Sequence, residues 1–92
     1  MHNQRIECTV TGRVQMVLYR DFAQRKARKI GLFGFVRNNN DGSVTVIAEG
    51  EHEKLEMFIA LLRKGSVLSK VEHVAVEWLE ATGEFKDFNI AY

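Results

Sequence analysis

The segment "LFGFVRNNNDGSVTVIAEG", Leu32 to Gly50, contains the pattern that decides the fold. Two runs rich in aromatic and β-branched residues, "LFGFVRN" and "SVTVIAEG", lie on either side of "NNDG". Asparagine, aspartate and glycine tolerate a positive φ, so this short polar stretch is typical of a tight connection between strands. The segment therefore predicts a β-hairpin in the middle of the chain.

A helical pattern lies on each side of the predicted hairpin. Before it, residues Arg20 to Ile30 carry an apolar stripe among good helix formers, and Gly31 follows as a stop. After it, acidic residues are followed by an apolar stripe and then by Arg63 and Lys64, a charge order that suits the helix dipole. The second stripe has the spacing i, i+3, i+4, i+7 and consists of Leu55, Phe58, Ile59 and Leu62.

The two ends of the chain supply the remaining strands. "RIECTVTG", Arg5 to Gly12, and "VEHVAVEWLEA", Val71 to Ala81, alternate with the period of half-buried strands, and "FKDFNIAY" adds a short final strand. Two helices that cross over around a central hairpin predict an α+β fold, a ferredoxin-like βαββαβ sandwich. Its antiparallel sheet is expected to have four strands plus a short fifth segment, with both helices on one face.

The composition is that of one soluble globular domain. The 92 residues, 46% hydrophobic and 27% charged, suffice for a single domain over 1–92, and no change in composition marks a linker. Thirteen basic and twelve acidic residues leave a net charge of +1, which argues against a broad nucleic-acid-binding field. No apolar run approaches the roughly 20 residues of a membrane span, and the amino terminus lacks a signal-peptide pattern. We therefore expect a cytoplasmic monomer that binds neither nucleic acid nor membrane.

The cysteine and the histidines show no metal-ligand spacing. Cys8 lies on the apolar face of the first predicted strand and is expected to be buried, since nothing in the sequence provides it with a base. His2, His52 and His73 are expected at the surface. We therefore expect no metal site and no cofactor. One cysteine cannot form an intrachain disulfide, which fits a reducing compartment.

The stretch "GRVQMVLYR", Gly12 to Arg20, joins the first predicted strand to the first predicted helix. Backbone N–H groups from Gln15 onward, the positive end of the helix dipole and the planar guanidinium of Arg20 can together hold an anion. The stretch therefore predicts a site for a phosphate-sized group. The alternative is an ordinary surface loop with a solvated arginine.

Two motifs in the chain resemble the signatures of the acylphosphatase family. "GRVQMVLYR" resembles its loop Gly-x-Val-Gln-Gly-Val-x-Phe/Tyr-Arg, and "GLFGFVRNNNDGSV" resembles Gly-x-x-Gly-Trp/Phe-Val-x-Asn-x-x-Asp-Gly-x-Val. Their order and spacing, with the βαββαβ pattern over nearly the whole chain, make the resemblance specific. It implies hydrolysis of a small-molecule acyl phosphate to a carboxylate and inorganic phosphate, without a metal or cofactor.

The resemblance also implies roles for individual residues. Arg20 would bind the phosphate, and Asn38 would position the attacking water. The cradle would be completed by the backbone N–H groups of Gln15, Met16, Val17, Leu18 and Tyr19. This scheme is coherent, because phosphoryl transfer depends on charge stabilisation and in-line positioning more than on covalent chemistry. Asn39 and Asn40 are interpreted as turn residues, and the ending "NIAY" resembles the tyrosine-bearing end of family members.

Two loop positions depart from the family pattern. Met16 stands where the family has glycine, and Leu18 stands where it often has a small or aromatic residue. If φ at residue 16 is positive, the side chain costs about 1–2 kcal/mol and can tilt an N–H away from the phosphate. The alternative function is then a catalytically weak or inactive domain that binds phosphate or a partner.

An RNA-binding module of the same topology is the remaining alternative, because "LFGFV" superficially resembles the signature of such domains. The leading basic residue and glycine of that signature are missing at Gly31 and Leu32, and Asn38 replaces its last aromatic residue. The segment also directly follows the first helix, whereas the signature belongs on the third strand. These differences favour the acylphosphatase interpretation.

Overall fold

A computed structural model describes residues 2–92, which form five strands and two helices. In chain order they are β1 (Asn3–Arg13), α1 (Tyr19–Ile30), β2 (Phe33–Asn38), β3 (Val44–Glu51), α2 (His52–Lys64), β4 (Lys70–Glu80) and β5 (Phe88–Ala91). The predicted βαββαβ order with a short fifth segment is confirmed. Within residues 2–92, no helix combines the length and the hydropathy needed to span a bilayer.

The strands form one sheet in the order β4-β1-β3-β2-β5. β1 is antiparallel to β3 and to β4, and β2 is antiparallel to β3, so the first four strands pair as predicted. β5 is parallel to β2, which makes the complete sheet mixed where the sequence predicted antiparallel pairing. The reason is the path of the chain: β4 and β5 lie at opposite edges of the sheet, and the chain reverses direction between them.

The core lies between the sheet and the two helices. The apolar stripe predicted for α2 is confirmed as its buried face, which consists of Leu55, Phe58, Ile59 and Leu62. Phe58 contacts Phe88 of β5 edge to face, with ring centroids 5.7 Å apart. The hydroxyl of the buried Tyr19 donates to the carbonyl of Leu62 over 2.8 Å. This bond ties the start of α1 to the end of α2.

Cys8 lies on the inner face of β1 and is buried, as predicted. Burial raises the pKa of its thiol to about 12, although the positive charge of Arg63 acts in the opposite direction. The thiol is therefore protonated at neutral pH, which makes it a poor nucleophile. His2, His52 and His73 are exposed, also as predicted.

The segment between β4 and β5, residues 81–87, is held on the open face of the sheet by Glu49. The buried carboxylate accepts hydrogen bonds from the backbone N–H groups of Thr82 (2.9 Å) and Gly83 (3.0 Å) and from the guanidinium of Arg5 (3.1 Å). Burial alone would raise the pKa of Glu49, but these hydrogen bonds outweigh burial and lower the pKa. The carboxylate thus fixes the path of the chain between the two edge strands.

Three chain segments lie together at one end of the strands. Because β1 and β2 are both antiparallel to β3, and β5 is parallel to β2, these three strands run in the same direction. Their carboxyl ends therefore lie together, next to the start of α1. This end of the sheet carries the loop after β1, the final β2 residue Asn38 and the terminal residue Tyr92.

Candidate active site

The loop of residues 14–18 connects β1 to α1 and is anchored by two of its side chains. Val14 is buried, and Val17 packs against the core from a partly buried position. α1 begins at Tyr19, so Arg20 belongs to the first helical turn. The positive end of the helix dipole and a guanidinium therefore lie beside the same loop.

The backbone N–H groups of this loop are available to a ligand. Among residues 2–92, none of the N–H groups from Gln15 to Arg20 donates a hydrogen bond to another protein group. Successive free N–H groups at a helix start form an anion site, because several of them can donate to one oxygen-rich ligand. The loop thus offers donors without first having to break internal hydrogen bonds.

Met16 and Leu18 have the left-handed backbone conformation that glycine favours, with φ values of 59° and 62°. Their side chains extend into solvent, with 99% and 70% of their surface exposed. A side chain in this conformation costs about 1–2 kcal/mol. Met16 therefore adds strain and an exposed side chain to a backbone conformation that glycine adopts without cost.

The side chain of Gln15 links the loop to the turn of the central hairpin. Its Nε2 donates to the carbonyls of Asn39 (2.7 Å) and Ser43 (2.8 Å). The turn is closed by Asp41, which accepts hydrogen bonds from the hydroxyl (2.6 Å) and the backbone N–H (2.9 Å) of Ser43 and has a lowered pKa for that reason. Gln15 thus holds the loop beside the end of β2, a role that the sequence motif did not indicate.

Asn38 is the last residue of β2 and lies two positions after the buried Val36, so both side chains face the helices. Its side-chain oxygen is buried and, across residues 2–92, has no hydrogen-bond partner. Buried polar atoms are nearly always paired in native proteins. The unpaired amide oxygen of Asn38 is therefore an exception among buried polar atoms, and it lies next to the hairpin turn that Gln15 contacts.

A surface pocket of about 490 Å³ lies at the same end of the sheet, where β1 and β5 finish and α1 begins. Its lining consists of Val14, Met16, Leu18, Tyr19, Arg20, Asp21, Ile90 and Tyr92. The guanidinium of Arg20 lies over the ring of Tyr92, 4.9 Å from the ring centroid, which is a cation–π contact. The parallel pairing of β5 with β2 brings Tyr92 to this position.

The pocket brings together some of the residues predicted for the site and leaves others outside. Those that line it are Met16, Leu18, Tyr19 and Arg20. Gln15 and Val17 are directed to the hairpin turn and to the core, and Asn38 does not line the pocket. The structure also places three residues in the pocket lining that the sequence did not predict for the site: Asp21, Ile90 and Tyr92. The family-like ending "NIAY" is the sequence signal from which Tyr92 could have been found.

The site offers three kinds of polar group: a guanidinium, a run of free N–H donors and an unpaired amide oxygen. The first two can donate hydrogen bonds to an anion, and the third is an acceptor that is closed to solvent. Within the part of the chain that the structure describes, residues 2–92, no cluster of His, Cys, Asp or Glu is arranged to hold a metal ion. A phosphoryl group is the ligand class that these donors fit.

Comparison with known proteins gives one consistent family. The family model described as acylphosphatase matches residues 6–90. The chain belongs to the acylphosphatase family. The acylphosphatase of Thermus thermophilus is 48% identical over 86 residues, which cover 94% of this chain and 97% of that protein. The acylphosphatase of Bacillus licheniformis is 47% identical over 83 residues, which cover 90% of this chain and 92% of that protein.

A solved structure agrees with this assignment. The crystal structure of acylphosphatase from Bacillus subtilis has a TM-score of 0.94 and 36% sequence identity to this chain. The match covers 97% of this chain and 99% of that one, so the similarity extends over the whole acylphosphatase fold. Both motifs of the present acylphosphatase, the loop after β1 and the central hairpin, lie within the matched residues 6–90.

Proposed function

We propose that this acylphosphatase hydrolyses small-molecule acyl phosphates to a carboxylate and inorganic phosphate, using Arg20, Asn38 and the loop N–H groups. The observation that carries the proposal is the run of free N–H groups beside Arg20 at the start of α1. A phosphoryl group needs several donors around its oxygens, and this loop supplies them already oriented.

Arg20 and the loop share the work of binding the phosphoryl group. The planar guanidinium of Arg20 holds two oxygens through parallel hydrogen bonds. The remaining donors are the N–H groups of Gln15, Met16, Val17, Leu18 and Tyr19. Because these donors are fixed by the backbone, they stabilise the charge on the equatorial oxygens of the transition state without reorganising. The ring of Tyr92 restricts the positions open to the guanidinium of Arg20.

Asn38 positions the attacking water in this mechanism. Its unpaired side-chain oxygen is closed to solvent as it stands, so the Asn38 side chain turns toward the loop and then accepts a hydrogen bond from the water, which leaves a lone pair of the water free for the phosphorus. The water oxygen bonds to phosphorus while the bond from phosphorus to the acyl oxygen breaks, and that electron pair leaves with the carboxylate. The proton released from the water passes to the phosphate product or to solvent. A carboxylate is a good leaving group, so positioning and charge stabilisation suffice.

The proposal extends to the setting in which the enzyme works. We propose a cytoplasmic monomer that uses no metal or cofactor and binds neither nucleic acid nor membrane. Two observations support parts of this: Cys8 is a free buried thiol, which suits a reducing compartment, and the basic and acidic residues nearly balance.

Neither alternative function is favoured. The weak or inactive alternative rested on a positive φ at Met16. The φ there is 59°, so the strain of about 1–2 kcal/mol applies, but the relatives that match nearly the full length of the chain are acylphosphatases. The RNA-binding alternative rested on the superficial resemblance of "LFGFV" to the signature of RNA-binding domains. The relatives that match nearly the full length of this chain are acylphosphatases.

Hydrolysis of benzoyl phosphate tests the proposal. Wild type is compared with Arg20→Ala and Asn38→Ala, and circular dichroism shows whether each variant is folded. Loss of one oriented donor to the transition state lowers rates by about 100-fold or more, so each variant is expected to lose at least that factor in kcat/KM. Arg63→Ala and Asn40→Ala change the same residue types at exposed positions outside the site and should keep the wild-type rate. A folded but inert wild type, or fully active Arg20→Ala and Asn38→Ala variants, would refute the proposal.

A further inference from the structure

Two exposed apolar side chains, Met16 and Leu18, stand at the candidate active site. Both belong to the lining of the pocket, and neither is part of the hydrophobic core. Both also have the left-handed backbone that disfavours any side chain. Strained residues of this kind persist mainly at functional sites, where the side chain acts outside the fold. Met16 and Leu18 are thus strained, exposed apolar residues that contribute nothing to the core of the fold.

The pocket has room and chemistry for more than a phosphate. Its volume of about 490 Å³ lies within the range of roughly 300–1,000 Å³ that is usual for sites of organic ligands. Arg20 and Asp21 supply the charged part of the lining. The rest is largely apolar and comprises Val14, Met16, Leu18, Ile90 and the side chains of Tyr19 and Tyr92. An acyl phosphate has the same two parts, a charged phosphoryl group and an organic acyl group.

We propose that Met16, Leu18, Ile90 and Tyr92, here called the acyl rim, bind the acyl group of the substrate. The enzyme then prefers acyl phosphates whose acyl group is apolar and larger than acetyl. The geometry follows from covalent connectivity: a phosphoryl group held by the N–H groups of residues 15–19 places the acyl carbon two bonds from phosphorus, beside the side chains of the same loop. This inference rests on the proposed function of that loop.

The size of the expected preference for longer acyl chains can be estimated from the hydrophobic effect. A methylene group fully removed from water strengthens binding by about fourfold. The acyl rim is open to solvent, so about half of that effect is expected, which corresponds to roughly twofold for each methylene. Hexanoyl phosphate has four more methylenes than acetyl phosphate and should therefore be preferred by about 16-fold.

The test measures kcat/KM for acetyl, butyryl and hexanoyl phosphate in wild type and in the double variant Met16→Asn, Leu18→Asn. Asparagine tolerates the left-handed backbone, so the double variant removes apolar surface while keeping the course of the loop. The ratio of hexanoyl to acetyl kcat/KM should fall from about 16-fold in wild type to about twofold in the double variant. The matched control is Val67→Asn, a change at a fully exposed apolar residue between α2 and β4, which should leave the ratio unchanged.

A binding assay that needs no turnover separates this inference from the proposed function. Calorimetry compares pentylphosphonate with methylphosphonate, and tighter binding of pentylphosphonate that is lost in the double variant supports the acyl rim even if no acyl phosphate is hydrolysed. Hydrolysis of acetyl and hexanoyl phosphate at equal efficiency would overturn the acyl rim while upholding the proposed function. A chain-length preference that survives in the double variant would overturn it as well.

Discussion

Replacement of Met16 by glycine is expected to stabilise the protein. The Met16 side chain is 99% exposed, so its removal costs no buried area. Release of the left-handed strain at φ 59° contributes about 1–2 kcal/mol to the free energy of unfolding. Glycine also gives the unfolded chain more freedom, which subtracts about 0.5–1 kcal/mol. The free energy of unfolding should therefore rise by about 0.5–1 kcal/mol.

Thermal and urea unfolding measure this change. In a domain of this size 1 kcal/mol corresponds to about 4–8 °C, so Met16→Gly should raise Tm by about 2–8 °C. The urea midpoint should rise without a change in the m value, because the surface exposed on unfolding is nearly the same.

The matched control for this prediction is Val67→Gly. Val67 is also fully exposed, but its φ is not positive, so glycine there brings the entropic cost without the release of strain. Val67→Gly should lower the free energy of unfolding by about 0.5–1 kcal/mol. If Met16→Gly lowers Tm as much as Val67→Gly does, residue 16 carries no strain, and the reasoning is refuted.

Two further predictions concern the side chains that hold loops in place. Gln15→Ala removes two hydrogen bonds to hairpin carbonyls, and urea unfolding should show a loss of about 1–3 kcal/mol. The same variant should have a lower kcat/KM for benzoyl phosphate, because the loop is no longer held beside Asn38; unchanged kinetics would contradict this link. Hydrogen bonds lower the pKa of Glu49 in the folded protein. The contribution of Glu49 to the free energy of unfolding is therefore complete above its unfolded pKa of about 4.3, and it is lost as the pH falls through the lower folded pKa. Stability measured from pH 6 to pH 2 should therefore fall less steeply in Glu49→Gln than in wild type, and equal slopes would contradict the prediction.

The elements that could be predicted from the sequence are those that local chemistry decides. The turn after Asn38 follows from residues that accept positive φ, and α2 follows from an apolar stripe that one face of a helix must bury. The two family motifs then indicated the loop and Arg20 as parts of one site. Local propensity and the global fold agree in these segments, which is why a short window of sequence was sufficient.

The features that could not be predicted depend on tertiary structure. The parallel pairing of β5 depends on how the chain returns across the sheet. The position of Tyr92 under Arg20 depends on the same path. The link from Gln15 to the hairpin turn joins residues that are far apart in the sequence. At Met16 local preference favours a negative φ, whereas the loop between Val14 and α1 imposes a positive one.

The single cysteine of this chain is a natural reporter of how often the core between the sheet and the helices opens. Cys8 lies in β1 between β3 and β4, and its buried thiol has a pKa of about 12. The thiol lies in the core between the sheet and the helices, so a thiol reagent can modify it only after this core has opened. The rate of labelling at neutral pH then measures the opening of the core in the native protein, and its slowing by inorganic phosphate gives the affinity of the loop for that ion without any substrate.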